Sequence, residues 1–336
     1  MSPPLSRRWW NCPRSCSEFT EPDPFSVDAR RSWLHADAIG DTHPPAMASE
    51  NTFLPADLVE TDPLLGVLRL AALSAGSDGP PDDATLDLMF ERMPAGRIDD
   101  ELSAAAWREL ARGLMGQRPS NMLVALSGCG ALGRVLPEVA ALFGVPQIAD
   151  DPPQVDIGQH LLRVLDEAAR CNAPLPVRFA ALVMHIGKSD SPPEHLPVHY
   201  RHVERGRPRI DALCQRFGVP EACRELALLA LSECERVHRV TEVRAGPIAA
   251  MLERVGAFDR PDRFGQLLML CACDYRAYRG HAAGEYPKAA LLRTALSACA
   301  GVEQTHGSPG AEELQEARAA AIARVFRSER WSSPGT

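Results

Sequence analysis

From residue 57 onward, apolar residues recur at three- and four-residue spacing in segments punctuated by glycine and proline, and strand-like alternation is nearly absent. A chain so patterned buries one stripe of each segment against its neighbours, and the fold class it specifies is all-α. The pattern predicts helices over about 60–75, 83–93, 100–115, 119–128, 135–143, 156–171, 176–187, 197–217, 221–240, 246–256, 261–279, 287–300 and 310–330. Asp83, Asp99, Pro220 and Asp262 stand where caps or first-turn residues belong, and Gly144, Gly187, Gly218 and Gly256 where helices should stop. No period of roughly 20–50 residues repeats, so a regular solenoid is not supported.

Residues 1–55 are dense in Pro, Ser and charge without a sustained period ("MSPPLSRRWWNCPRSCSEFTEPDPF", "DTHPPAMASE"), and are expected to be mostly disordered. A start at Met47 would remove most of that segment, which mass spectrometry of the native N-terminus would reveal. Pro-rich "ADDPPQVD" at 149–156 and "TEVRAGP" at 241–247 are expected to divide the remainder into helical blocks at 56–148, 149–242 and 243–331, packed into one elongated body.

Lys+Arg 36 against Asp+Glu 44 gives net −8, so no overall basic field advertises nucleic acid, and an RNA partner would need a local patch. Ten cysteines lie mostly inside apolar helical stretches, as free thiols do in a reducing compartment. The pairs Cys12/Cys16 and Cys271/Cys273 match no zinc spacing with a second pair and read as buried or incidental thiols. No stretch approaches eighteen apolar residues and no signal-peptide core opens the chain, so a soluble cytoplasmic location is expected, away from membranes.

Histidines concentrate between 160 and 238: His160, His185, His195, His199, His202 and His238. All but His195 fall on four predicted helices, with His199 and His202 on one face, so imidazoles could converge on one cleft. The candidate metal set is His160, His185, His199, His202, Glu235 and His238. Hydrolytic metal sites also need carboxylates to seat the cation, and no acid adjoins His185 in "FAALVMHIGK". Surface or helix-end histidines are the plainer reading of the same residues.

"DIGQH", "VRFAALVMHIGK" and "PVHYRHVERGRPRIDALCQRFGVP" together resemble the HD domain of bacterial CCA-adding enzymes, the tRNA nucleotidyltransferases related to poly(A) polymerases. "DPLLGVLRLAALSA" resembles the neck helix of that family, "CGALGRVLPEVAALFGVPQ" its body, and "RPDRFGQLLMLCACDYRAYRG" with "EYPKAALLRTAL" its tail, in colinear order over about 57–300. The resemblance implies a tRNA partner, a divalent metal in the HD domain, and nucleotide addition by a separate β-sheet head.

The motifs depart from the family at each reactive position. Where the family has His-Asp-x-Gly-Lys, Met184 stands for the histidine and His185 for the aspartate; His160 keeps the first histidine position, and "SECERVH" leaves Cys234, Glu235 and His238. The base-reading Glu-Asp-x-x-Arg reads "TDPLLG": Asp62 survives, Thr61 replaces the glutamate, and the nearest arginine is Arg69, one turn late. About 56 residues precede the neck, too few for a head, and they hold no Gly-Gly turn or Asp-x-Asp pair. No catalytic residue is assigned and no resident cofactor is expected beyond a divalent metal if the HD-like site works.

Arg201, Arg205, Arg207 and Arg209, with Arg216 beyond, form the candidate phosphate-gripping surface, against the plainer reading of a solvated helix face. Asp274 and Arg276 in the tail segment are expected to form an intramolecular ion pair. Three functions remain open: a headless CCA-adding relative that binds tRNA without extending it, or with a head supplied by another polypeptide; a divergent HD phosphohydrolase for 2′,3′-cyclic or 2′-nucleotides; and a helical protein-interaction scaffold.

Overall fold

The protein, known from a computed structural model, is described over residues 62–332 apart from 78, 80, 94–101, 103, 151, 240–243, 282–283 and 303–309. The expectations for 1–55, Cys12, Cys16, Met47, Thr61 and Asp99 lie outside the described residues. The chain divides into Met1–Met47 and Ala48–Thr336, and everything below belongs to the second unit.

Among the described residues the helices are α1 Pro63–Ser74, α2 Asp83–Arg92, α3 Ala104–Leu114, α4 Pro119–Gly128, α5 Leu132–Val135, α6 Pro137–Ala140, α7 Ile157–Arg170, α8 Leu175–Val183, α9 His202–Phe217, α10 Glu221–His238, α11 Ala245–Arg254, α12 Pro261–Arg276, α13 Pro287–Ala298 and α14 Ala311–Ser332. Proline opens α1, α4, α6, α12 and α13, where its missing N–H costs nothing because the first-turn donors have no helical partner. The fold is all-α apart from one short hairpin.

The centre is α8. Val177, Phe179, Ala180, Ala181, Leu182 and Val183 are all buried, which is what a helix apolar on every side requires. It is surrounded by α7, α10 and α12, and α4 packs on the outer side of α7. At roughly 1.5–3 kcal/mol for each large apolar side chain removed from water, this hub anchors the fold. Arg178 is the polar exception on α8. Its guanidinium donates to the Leu114, Gly116 and Ala173 carbonyls at 2.9, 2.8 and 2.8 Å, satisfying acceptors left open at the end of α3. One contiguous apolar core runs from Val67 on α1 to Phe326 on α14.

Three local expectations are corrected. The helix expected over 135–143 is broken into α5 and α6, because Pro137 can neither donate to the preceding turn nor fit inside it. The Pro-rich seam at 149–156 lies largely within an antiparallel hairpin, β1 Pro146–Ile148 with β2 Gln154–Asp156, pairing Gln147 with Val155. The helix expected over 176–187 ends at Val183, and Ile186–Lys188 form a separate 3₁₀ turn.

That turn explains Gly187. A Cβ there would stand 1.9 Å from the His202 carbonyl oxygen and 2.7 Å from the Gly206 nitrogen, so the turn and α9 meet backbone to backbone. Gly187 is required for close approach and not as a helix stop, whereas Gly218 ends α9 in the left-handed region at φ 62°.

Candidate functional site

Helices α7, α10 and α12, with the segment after α8, deliver histidines and one carboxylate to a single buried point. Asp156 caps α7, accepting from the Gln159 N–H at 2.7 Å, and one turn later His160 points inward, fully buried. His160 Nε2 donates to Oδ1 of Asp274 at 2.8 Å. His238, at the end of α10, lies 3.0 Å from the other carboxylate oxygen. His185 Nε2 is 3.6 Å from Oδ1, too long for a hydrogen bond, and it has no partner; neither has His160 Nδ1. The Tyr278 ring covers His160 at a centroid distance of 4.2 Å.

Asp274 was expected to pair with Arg276. Instead Arg276 faces Glu167 at 3.8 Å and the Gly284 carbonyl, while Asp274 serves the imidazoles. The change of partner follows from helix geometry: residues two apart on α12 point to different sides, and Asp274 is on the buried one.

The candidate metal residues fall into two groups. His160, His185 and His238 gather on Asp274; His199, His202 and Glu235 lie around Lys188. The buried Lys188 ammonium is 2.9 Å from Glu235 and donates to the Gln147 side chain at 3.0 Å. Gln147 comes from the hairpin and also donates to the Tyr278 hydroxyl at 3.2 Å, joining the two groups. His199 donates from Nε2 to the Pro146 carbonyl at 3.0 Å and accepts from the Ser191 hydroxyl at 2.8 Å. His202 donates to the His199 carbonyl at 2.9 Å, and its other nitrogen is 3.7 Å from Glu235. His199, with both nitrogens engaged, would have to break a hydrogen bond to ligate a metal.

Charge in the site is balanced within the protein. Burial would press the His238 imidazole down, but Cys234 and the Asp274 carboxylate outweigh it and lift it to about 10. Burial acts against ionised Asp274 too, and His160, His185 and His238 overcome it, holding the carboxyl well below its usual range. Burial and the neighbouring Lys188 push His185 down to about 4, and the same two causes take His199 to about 4.

Stability should therefore peak near neutral pH. The unfolded chain takes up protons below about 6.5 that His185 and His199 refuse in the fold, so stability present above that pH is lost as pH falls towards 4. His185 alone is worth about 3 kcal/mol of this loss. His238 acts in the opposite sense: its contribution is complete below its unfolded value and is lost as pH rises through about 10. Urea midpoints between pH 4 and 8 should show the acid limb, and His185→Gln should flatten it; an equally steep limb in that variant would contradict the assignment.

The arginines expected to face phosphate are mostly occupied. Arg209 grips Asp190 through two nitrogens at 2.7 and 3.1 Å and reaches the Ile186 carbonyl; Arg205 is 2.9 Å from Asp190 and donates to the Gly187 carbonyl at 3.1 Å. Both brace the turn that carries His185 and Lys188. Arg216 forms a bidentate pair with Glu138. Arg201 donates to its neighbour Glu204 at 2.7 Å on an exposed face, and Arg207 is exposed. Asp62 caps α1, accepting from the Leu65 N–H at 3.0 Å, and Arg69 pairs with Glu109 at 2.8 Å.

His160, His185 and Asp274 each offer a ligand atom within 4.8 Å of the others, two nitrogens and one carboxylate oxygen. That donor set fits a divalent ion in number. It supplies a single anionic group, and the three side chains are 0%, 7% and 7% exposed, so a phosphate ester would reach them only if the surrounding side chains gave way. No described helix is long and apolar enough to cross a membrane.

No family model matches the chain. It is similar to the multifunctional CCA protein of Burkholderia multivorans, 44% identical over 238 residues, covering 70% of this chain and 58% of the relative. The multifunctional CCA protein of Cupriavidus taiwanensis is 43% identical over 248 residues, 74% of this chain and 60% of the relative. That of Cupriavidus necator is 44% identical over 219 residues, 65% and 53%. The chain thus spans little more than half the length of the curated relatives it matches.

Proposed function

The chain belongs by homology to the CCA-adding, tRNA nucleotidyltransferase family, and from that premise we propose that it is a tRNA-directed helical protein that does not itself add CCA. The single observation carrying the RNA half is 43–44% identity sustained over some 240 residues to proteins named for CCA. The catalytic half rests on occupied side chains. Nucleotide addition needs paired carboxylates to hold magnesium, and the one sheet among the described residues is a two-stranded hairpin. Asp62 is spent on a helix cap and Arg69 on Glu109, so neither is poised to read a base edge.

Arg201 and Arg207 are the phosphate-facing residues in this reading, since Arg205 and Arg209 hold Asp190. With net charge −8, binding must be local and salt-sensitive. Filter binding of tRNA should weaken steeply with salt, and the Arg201→Ala/Arg207→Ala pair should reduce the salt slope by about 1–2 while leaving the melting temperature unchanged. No preference for RNA at low salt would remove the proposal.

A second reading is favoured by the His160, His185 and Asp274 donors: a divergent HD phosphohydrolase acting on 2′,3′-cyclic or 2′-nucleotides. A bound divalent ion would be held by those three side chains and would polarise a phosphate oxygen. Turnover of a cyclic nucleotide with nickel, manganese or cobalt that disappears in His160→Ala supports it; no turnover with any of them rejects it.

A further inference from the structure

Helix α10 carries Cys234 and His238 four residues apart, and α12 carries Cys271 and Asp274 three apart, so each helix presents a pair of metal-type ligands to the other. The Cys234 sulfur is 3.5 Å from the Cys271 sulfur and 3.5 Å from Nε2 of His238, and the three donor atoms lie within 4.8 Å of one another. Bonds of about 2.3 Å to sulfur and 2.0–2.1 Å to nitrogen at a tetrahedral centre require sulfur–sulfur edges of about 3.8 Å and sulfur–nitrogen edges of about 3.5 Å. Both observed separations therefore match the edges of such a centre to within about 0.3 Å.

The surroundings fit the same centre. The Tyr286 hydroxyl is 3.0 Å from His238 Nδ1; with Nδ1–H donating to that oxygen, loss of the Nε2 proton on metal binding would free its lone pair beside the Cys234 sulfur. Oδ2 of Asp274 lies 3.0 Å from Nε2, on the side of the imidazole that faces the ion. The cysteines are 4% and 0% exposed, while the His238 side chain is 25% exposed and leaves an entry from solvent. Two thiolates select a borderline or soft ion over magnesium or calcium.

We propose that Cys234, Cys271 and His238 bind a zinc-class ion that clamps α10 to α12. This site is separate from the His160/His185 side of Asp274, which uses the other carboxylate oxygen, and it does not depend on the RNA-directed reading. Loading expels the two thiol protons and the Nε2 proton of His238, so affinity rises with pH.

The test is a cobalt titration of the reduced, chelator-stripped full chain. One equivalent of Co²⁺ should produce a near-ultraviolet sulfur-to-cobalt charge-transfer band with tetrahedral visible bands, all displaced by one equivalent of Zn²⁺. The band should be lost or at least halved in Cys234→Ser and Cys271→Ser and retained in His160→Ala and His185→Ala. His238→Ala, with its retained fold checked by circular dichroism before titration, should weaken Zn²⁺ binding at least tenfold. The absence of a sulfur band in the wild-type chain overturns the proposal without any variant. So does a full-strength band in the double serine variant, or unchanged Zn²⁺ affinity in His238→Ala.

Discussion

Replacing Asp274 by alanine is expected to cost about 3–5 kcal/mol of folding stability, the loss found when one partner of a buried charged pair is removed. Its two oxygens are the acceptors for His160 and His238, and no other carboxylate among the described residues pairs with either of them. At roughly 2–4 °C per kcal/mol for a domain of this size, the melting temperature should fall by about 6–20 °C. A proton NMR titration should show the His238 imidazole moving down from its raised position near 10, since burial is then opposed by Cys234 without the carboxylate. Asp274→Asn should lie between, because one carbonyl acceptor survives. A variant that melts within about 2 °C of the wild type would mean that the histidines are held by packing alone.

Gly187→Ala should be comparably severe, at about 3 kcal/mol or more. Its added methyl meets only backbone: the His202 carbonyl oxygen at 1.9 Å and the Gly206 nitrogen and Cα at 2.7 and 2.8 Å, none of which can rotate away. The 3₁₀ turn would have to lift from α9, taking Lys188 from Glu235 and loosening the grip of Arg205 and Arg209. Gly206→Ala is the control. Its closest neighbours are the Leu231 methyls at 2.7 and 3.0 Å, a flexible side chain, the Gly187 Cα stands further off at 3.3 Å, and alanine favours the helix by roughly 1 kcal/mol. Thermal melts should therefore separate the two variants by several degrees; equal losses would contradict the backbone contact.

The helices were legible in the sequence because their signals are local. Helices α4 and α10 start where expected, at Pro119 and Glu221, since a proline or a capping position fixes the first turn and periodicity fixes the rest. The hairpin at 146–156 was not legible, because strands of three residues are too short to show a period of two. Its omission hid Gln147, which bridges Lys188 and Tyr278. The histidine placements could be read from helical spacing, but their shared acceptor could not: Asp274 is 114 residues from His160 and reaches it only because α12 packs on α7. A clue was present in "LLMLCACDYR", where one acid sits on an otherwise apolar face. The arginine cluster misled for a related reason, since sequence shows charge but not the Asp190 that Arg205 and Arg209 already hold.

The site is accordingly a polar core, in which the Asp274 carboxylate with its histidines and the Lys188–Glu235 pair balance charge within the protein, inside an all-α fold similar to part of the multifunctional CCA proteins. The most direct test follows the length of a tRNA lacking its 3′-terminal CCA after incubation with the purified chain, CTP, ATP and magnesium, resolved on a denaturing gel beside an active relative. The account predicts an RNA of unchanged length with this chain and full extension with the relative. Extension to the CCA end by this chain alone would contradict it.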